Sequence, residues 1–233
     1  MSYIFSEKEE EIRRARAKRK VPVVLTREET RKLKEEPKLE EKHYKEELRK
    51  RRLGGSRWQT RIKNKIFNAK RNDAILKLFY SSGIRIAELI NLDLKDLNLE
   101  ESQIKVLGKG GKEAYCPITS EAARALSVYL RRRNRRGNTD DSALFITKIG
   151  KRVSKRDIQR FIPRYARQAG IKKKVTPHTL RHSIATHLLD QGMDLRYVQA
   201  FLRHASISST QIYTHVSNIR LREELAYRHP DNL

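Results

Sequence analysis

His178 and Arg181 stand three positions apart in the segment PHTLRHSIATHLL and are the first residues whose types and spacing indicate chemistry. Positions i and i+3 of a helix lie one above the other, so the imidazole and the guanidinium can converge on one small group. An arginine offers a planar fork of donors that matches phosphate oxygens, and an imidazole can donate a further hydrogen bond. The pair therefore indicates a grip on phosphate, although such pairs are also common on solvated helices.

The helix that carries this pair has a predicted start. Thr176 is the expected N-cap and Pro177 the first helical residue, because a threonine side chain satisfies a free backbone amide there and proline pre-sets the backbone. The apolar positions that follow recur with helical spacing and are expected to face a core. These positions are Leu180, Ile184, Leu188 and Leu189.

A second helix is expected just downstream. Gly192 is a plausible end for the first helix, and the pattern predicts a new one from about Asp194 to Arg203. His204 follows at its end, and Tyr213 lies nine positions beyond. On its own each of these two residues is weak evidence, so the upstream segments decide whether they belong to a site.

One upstream segment adds an arginine with its own carboxylate. Arg71 to Asn91 predicts a helix, a break at SSG and a second helix. Arg85 stands at the start of that second helix, and Glu88 follows three positions later. A partly buried arginine is costly without an anionic partner. Glu88 can orient its guanidinium while leaving donors for a phosphate, and an ordinary ion pair is the alternative.

The residue pattern then changes from that of a helix to that of a β-hairpin. Gln103 to Leu107 and Glu113 to Ile118 are strand-like and are joined by the glycine-rich turn GKGGK. Pro117 indicates an edge strand. Lys109 and Lys112 lie in the turn, where a lysine either swings into a neighbouring site or is simply solvated.

Three further elements complete the second half of the sequence. Thr119 to Arg133 predicts a capped amphipathic helix, and Ala143 to Thr147 a third strand. Ser154 with Asp157 predicts another capped helix, which ends at Gly170. Basic runs beside these elements are candidate DNA contacts or solvated loops. The candidates are Lys112, Arg131, Arg132, Arg133, Arg135, Arg136, Lys172, Lys173, Lys174 and Arg203.

Charge points to a polyanionic partner. The 233 residues include 53 lysines and arginines against 28 acidic residues, a formal net charge of +25. This excess favours nucleic acid, bound through phosphate neutralisation and counterion release. An anionic membrane is the competing partner, but no apolar run approaches the roughly 20 residues that a span requires. Cys116 is the only cysteine, and we expect a cytoplasmic, nucleoid-associated protein without a signal peptide.

The first 70 residues are charged throughout. Residues 1–20 predict a solvated or DNA-contacting arm, and residues 21–70 a basic helical region. Thr26 to Glu29 forms a capping box, which predicts a short helix through about Glu35 that Pro37 ends. Residues 38–70 look like an insertion. Their helically spaced apolar residues favour packing, with DNA contact as the alternative; they are Trp58, Ile62, Ile66 and Phe67.

Four motifs in fixed order carry a resemblance. SGIRIAEL, LGKGGKE, PHTLRHSIATHLL and LRHASISSTQIYTHV together resemble the tyrosine recombinase (integrase) family, which includes the Xer proteins and phage integrases. The match runs from about Arg71 to Tyr227. It implies a mainly α catalytic domain with a small antiparallel β-sheet over residues 71–233, and a C-terminal helix at 217–227 that docks into a neighbouring subunit of a dimer or tetramer.

The resemblance also assigns roles. It implies phosphate binding by Arg85, supported by Glu88, and a proton for the leaving 5′ oxygen from Lys109. His178 and Arg181 match the HxxR pair of the family. The last two matches are His204, the second histidine, and Tyr213, the nucleophile. The implied activity is cleavage and rejoining of double-stranded DNA through a 3′-phosphotyrosyl intermediate, with no metal, cofactor or ATP.

Departures from the family pattern leave alternatives. Arg203 stands where many relatives have glycine, and the region before residue 71 is too short for a full core-binding domain. A DNA-binding protein that lost recombination and a type IB topoisomerase-like relaxase are therefore weighed beside the recombinase. A metallohydrolase built on His178, His182 and His187 is disfavoured, because no HExxH motif or clustered acid accompanies them.

Overall fold

The computed structural model describes residues 22–50, 55–108, 113–135, 142–203 and 218–232. Within these ranges the fold is mainly helical with one small antiparallel sheet, which confirms the predicted fold class. The helices are α1 (Arg27–Lys50), α2 (Ser56–Ser82), α3 (Ile86–Ile90), α4 (Ser120–Arg133), α5 (Lys155–Gln168), α6 (Pro177–Asp190), α7 (Leu195–Leu202) and α8 (Asn218–Arg228). Short 3-10 turns occupy Leu94–Asp96 and Pro230–Asn232.

Helices α1 and α2 form a long hairpin. The expected end of α1 at Pro37 was wrong, because the helix continues through this buried proline to Lys50. Packing of α1 along α2 and of Leu33 into the core outweighs the one backbone hydrogen bond that proline removes. The capping box at Thr26 forms as predicted: the amide of Glu29 donates to the threonine hydroxyl at 3.1 Å.

Residues 38–70 therefore supply the far half of this hairpin. Helix α2 runs without interruption across residue 70, and its face toward the body buries Ile62, Ile66 and Phe67. The packing alternative is thus confirmed for these three residues. The division of the chain into domains at residue 70 stays a prediction, as does the interpretation of residues 38–70 as an insertion.

Gly83 ends α2 at the predicted break. It adopts a left-handed backbone (φ 56°), and a Cβ built there would lie 2.9 Å from Cδ2 of Leu202 and 3.1 Å from Cε1 of Phe201. Only glycine meets both demands without strain. The turn brings the start of α3 beside the end of α7.

The sheet has the order β1-β2-β3, with β1 at Leu97–Asn98, β2 at Gln103–Leu107 and β3 at Glu113–Pro117. The hairpin of β2 and β3 and the edge position of Pro117 are confirmed. The third strand predicted at Ala143 to Thr147 was wrong. That segment is buried, and its backbone bonds to loops and a side chain instead of a ladder: the amide of Ile146, for example, donates to the Tyr129 hydroxyl at 2.9 Å.

Two apolar clusters hold the helices. The larger lies among α2, α4, α5 and the sheet. The smaller joins Ile184 and Leu188 of α6 to Phe201 of α7, and α8 packs on it through Leu221 and Leu225. Leu189, in contrast, is exposed. None of the helices in the described ranges combines the length and apolarity needed to cross a membrane.

Candidate active site

Three arginines and one carboxylate meet where α2, α3, α6 and α7 come together. Arg85 is the N-cap of α3, Arg181 lies in the second turn of α6, and Arg203 is the C-cap of α7. Glu88 of α3 lies between Arg85 and Arg203. Helix α6 is placed by the predicted cap, since the Thr176 hydroxyl accepts from the amide of residue 179.

Glu88 ties two of the arginines together. Its Oε1 accepts from Nη1 of Arg85 at 2.7 Å, and its Oε2 accepts from the Arg85 amide at 2.9 Å and from Nη2 of Arg203 at 3.0 Å. Burial of this side chain, 7% exposed, would raise its pKa, but the charge of Arg203 and the hydrogen bonds from Arg85 outweigh burial. The pKa of Glu88 is therefore lowered, and it stays a carboxylate.

Arg181 is held by backbone carbonyls. Its guanidinium donates to the carbonyl of Gly83 through Nη1 and to that of Leu202 through Nη2, and the residue is only 7% exposed. Burial, with the nearby charges of Arg85 and Arg203, lowers its pKa to about 10. Arg181 therefore remains charged at neutral pH, and its position is fixed by the two helix ends.

Arg203 contacts Arg85 directly through its carbonyl and indirectly through Glu88. Its carbonyl accepts from Nη2 of Arg85 at 2.9 Å, while its own guanidinium reaches Glu88 and the carbonyl of Phe201 at 3.1 Å. The residue has a left-handed backbone (φ 52°, ψ 50°), which is unfavourable for an arginine. The sequence offered Arg203 as a DNA contact, whereas the structure turns its side chain, 15% exposed, inward onto Glu88.

The balance of charge in this cluster indicates an anionic ligand. Three guanidiniums surround one carboxylate, and Arg85 retains 35% exposure of its side chain. Converging cations that are partly removed from water are unfavourable unless an anion approaches them. Preorganised donors of this kind stabilise the charge that develops on a phosphoryl group during its transfer.

Among the remaining predicted catalytic residues, His178 lies within the described ranges. His178 lies exposed in the first turn of α6. His182 on the same helix has a lowered pKa because of burial and the nearby charges of His178 and Arg181. The predictions for the other catalytic residues and two of the DNA contacts fall outside the described residues. They are Lys109, Lys112, Arg136, His204 and Tyr213.

Most of the described DNA-contact candidates are exposed, namely Arg131, Arg132, Arg135, Lys172, Lys173 and Lys174. Lys173 also pairs with Glu29 at 2.6 Å. Arg133 does not fit the expectation: it is buried, and Nε and Nη2 donate to the Ala143 carbonyl at 3.0 and 2.7 Å. Its guanidinium stabilises the buried segment that follows the basic run.

His187 belongs to the core. Its Nδ1 lies 2.7 Å from the hydroxyl of Tyr80, and its Nε2 lies 2.8 Å from the carbonyl of Leu25. Both ring nitrogens are therefore engaged in internal hydrogen bonds. In the part of the chain that the structure describes, no three histidine, cysteine or acidic residues are grouped to hold a metal ion.

The geometry and the sequence place this protein in a known family. The profile of the phage integrase family matches residues 60–220, and the chain belongs to that family. Among curated relatives, the tyrosine recombinase XerC of Thermodesulfovibrio yellowstonii is 47% identical over 169 residues, which cover 70% of this chain and 56% of that protein. The tyrosine recombinase XerD of Staphylococcus epidermidis is 42% identical over 165 residues, with the same coverage of 70% and 56%.

Solved structures agree with this placement. A crystal structure of XerA recombinase matches with a TM-score of 0.64 and 33% identity, covering 91% of this chain and 67% of that one. A post-cleavage complex of the XerH site-specific recombinase with its palindromic difH substrate matches with a TM-score of 0.63 and 27% identity, covering 89% and 53%. The chain spans about half the length of the curated relatives it matches.

Proposed function

We propose that this chain is the catalytic part of a site-specific tyrosine recombinase that cleaves and rejoins strands of double-stranded DNA. The observation that carries the proposal is the cluster of Arg85, Arg181 and Arg203 around Glu88. It offers fixed positive donors at the place where the family sequence pattern puts its phosphate-binding arginines. The relatives named as tyrosine recombinases share this part of the chain.

In the proposed reaction the hydroxyl of Tyr213 loses its proton to solvent and its oxygen attacks the phosphorus of a DNA phosphodiester. The bond to the 5′ oxygen breaks, Lys109 protonates that oxygen, and the 3′ phosphate stays on the tyrosine. A 5′ hydroxyl from a partner strand then gives its proton back to Lys109 and attacks the phosphorus of the phosphotyrosyl ester, which restores the diester and releases Tyr213, whose oxygen takes up a proton from solvent. Bond energy is conserved in the intermediate, so no ATP is consumed.

The arginines meet the electrostatic demand of this step. A tyrosine hydroxyl has a pKa near 10 and is a poor nucleophile at neutral pH, so the site must stabilise negative charge on the oxygen and around phosphorus. Arg85 uses one N–H on Glu88 and one on the carbonyl of Arg203, two of its five. The contacts that fix its plane thus leave it able to donate to a phosphate, with His178 and His204 as further donors.

Assembly on DNA is the second part of the proposal. We infer that the protein acts as a dimer or tetramer on the chromosome, in the cytoplasm. Helix α8 packs on its own chain through Leu221 and Leu225. Assembly through this helix would require α8 of a second copy to replace it on the cluster of α6 and α7.

Covalent capture tests the proposal. The full chain is incubated with a library of nicked duplexes whose sequence around the nick is randomised, with EDTA present. In such substrates the short cleaved fragment diffuses away, and its loss traps the covalent intermediate because no 5′ hydroxyl remains to reverse the cleavage. We expect a denaturation-resistant protein–DNA adduct with the wild type and none with Tyr213→Phe. Sequencing the captured DNA would identify the preferred site.

Two results would count against recombination. Failure to form an adduct while DNA binding is intact would favour a protein that only binds DNA. Relaxation of supercoiled plasmid without joined products would favour a topoisomerase-like relaxase.

A further inference from the structure

The two long helices of the α1–α2 hairpin differ sharply in charge. Helix α1 has nine lysines and arginines against eight glutamates, and its exposed charges pair along the helix, as Arg31 does with Glu28 at 2.7 Å and Glu35 at 2.9 Å. Residues 56–70 of α2 carry five cations and no carboxylate. Charge on α1 is thus nearly balanced, whereas the first half of α2 carries only cations, of which Lys70 pairs with Glu41 of α1 at 2.8 Å.

Three of these cations line a groove together with a second part of the chain. The groove, of about 320 Å³, lies between the first half of α2 and the turn that carries Lys148, and its described lining is entirely cationic or neutral polar. The cationic members are Arg57, Arg61, Lys65 and Lys148, and the polar ones are Thr60, Asn64 and Asn68.

One of these side chains is held by a neighbouring ring. Nζ of Lys65 lies 4.5 Å from the centre of the Tyr44 ring of α1, a cation–π contact that holds the half-buried lysine at the groove. Arg57, Arg61 and Lys148 are exposed. Arg57, Arg61 and Lys65 are like charges on neighbouring turns of one helix, and an anion seated among them would reduce their mutual repulsion.

We propose that this groove binds the phosphate backbone of duplex DNA at a place separate from the Arg85 cluster. The choice of DNA rests on the proposed function. Arg57, Arg61, Asn64 and Asn68 follow one another at helical spacing and form one stripe. The stripe is about 16 Å long. One strand of a duplex covers that length with about five phosphates.

The chemistry of the groove predicts how it recognises DNA. Guanidinium, ammonium and amide donors contact phosphate oxygens whatever the base sequence, so the groove contributes affinity and orientation. The hairpin would then hold the duplex some distance from the site of cleavage, since residue 61 lies 22 positions, or about 33 Å of helix, before Gly83.

The test measures DNA affinity against salt in the full chain carrying Tyr213→Phe, which removes the proposed chemistry from the measurement. The probe is a fluorescently labelled duplex of arbitrary sequence, followed by anisotropy. Arg57→Ala/Arg61→Ala is compared with Lys32→Ala/Lys42→Ala, which removes the same charge from exposed positions of α1. We expect the slope of log affinity against log salt to fall by about two for the groove variant and to change little for the control.

A conservative variant separates binding from folding. Arg57→Lys/Arg61→Lys keeps both charges, and its slope should stay close to that of the parent, while helicity by circular dichroism should match in all variants. Equal slopes for the groove and control variants would overturn the proposal, as would loss of affinity in the lysine variant. The adduct assay is read separately. If no adduct forms but the groove and control variants differ in slope, the proposed recombinase activity is wrong and the groove proposal stands. If an adduct forms but the two slopes are equal, the recombinase activity stands and the groove proposal is wrong.

Discussion

Replacing Arg203 by glycine and by alanine separates the contribution of its guanidinium from the strain of its left-handed backbone. Both variants lose the guanidinium that donates to Glu88 and to the carbonyl of Phe201. A charge-assisted hydrogen bond of this kind contributes about 2 kcal/mol. The variants differ in the backbone, because residue 203 has φ 52° and ψ 50°, a conformation that costs a residue with a Cβ about 1 kcal/mol.

We therefore expect Arg203→Ala to lower the free energy of unfolding by about 2 kcal/mol. Arg203→Gly should lower it by only about 1 kcal/mol, since glycine relieves the backbone. For a chain of this size the two variants should differ in Tm by about 2–4 °C. Thermal unfolding followed by circular dichroism measures the difference. Equal stability of the two variants, or a more stable alanine variant, would refute the left-handed conformation and with it the strain argument.

The same pair reports on positioning. Because both variants remove the second partner of Glu88, the adduct should form about tenfold more slowly in each, with similar DNA affinity. An adduct rate that followed stability instead, fast in the glycine variant and slow in the alanine variant, would show that the guanidinium itself does not position Arg85.

Two further predictions concern the same corner of the fold. Gly83→Ala should lower the free energy of unfolding by about 2 kcal/mol, because the position has φ 56° and its new Cβ would lie 2.9 Å from Cδ2 of Leu202. Gly55→Ala, where the new Cβ meets open space, should change the free energy of unfolding little. Equal effects of the two substitutions in urea unfolding would contradict this prediction. The pKa of Glu88 is lowered in the folded protein, so its stabilising contribution is present above the ordinary carboxyl pKa and is lost as pH falls through the lower folded value. Glu88→Gln should therefore make stability less dependent on pH in acid, and an unchanged acid limb in unfolding titrations would count against the lowered pKa.

Local signals in the sequence predicted much of the helical framework. The caps at Thr119, Ser154 and Thr176 form as expected because each depends on a side chain and an amide three residues away. The break at Gly83 and the β-hairpin likewise depend on nearby residues. For the candidate site, the pairing of Arg85 with Glu88 was predictable for the same reason, since both belong to one turn of helix.

The predictions that failed concern residues whose structure depends on contacts with distant parts of the chain. Pro37 is a helix breaker in isolation, but burial of α1 against α2 and the core keeps the helix intact. The inward turn of Arg203 depends on Glu88, 115 positions earlier. Arg133 looks like part of a solvated basic run, yet a carbonyl ten residues later draws it inside. No local pattern carries this information.

The chemical identity of the protein–DNA bond decides whether Tyr213 is the nucleophile. After capture on the nicked duplex library in EDTA, the adduct is digested with nuclease and protease, and the modified peptide is sequenced by mass spectrometry. We expect a nucleotide joined through its 3′ phosphate to Tyr213. A nucleotide on any other residue, or an adduct that persists in Tyr213→Phe, would contradict it.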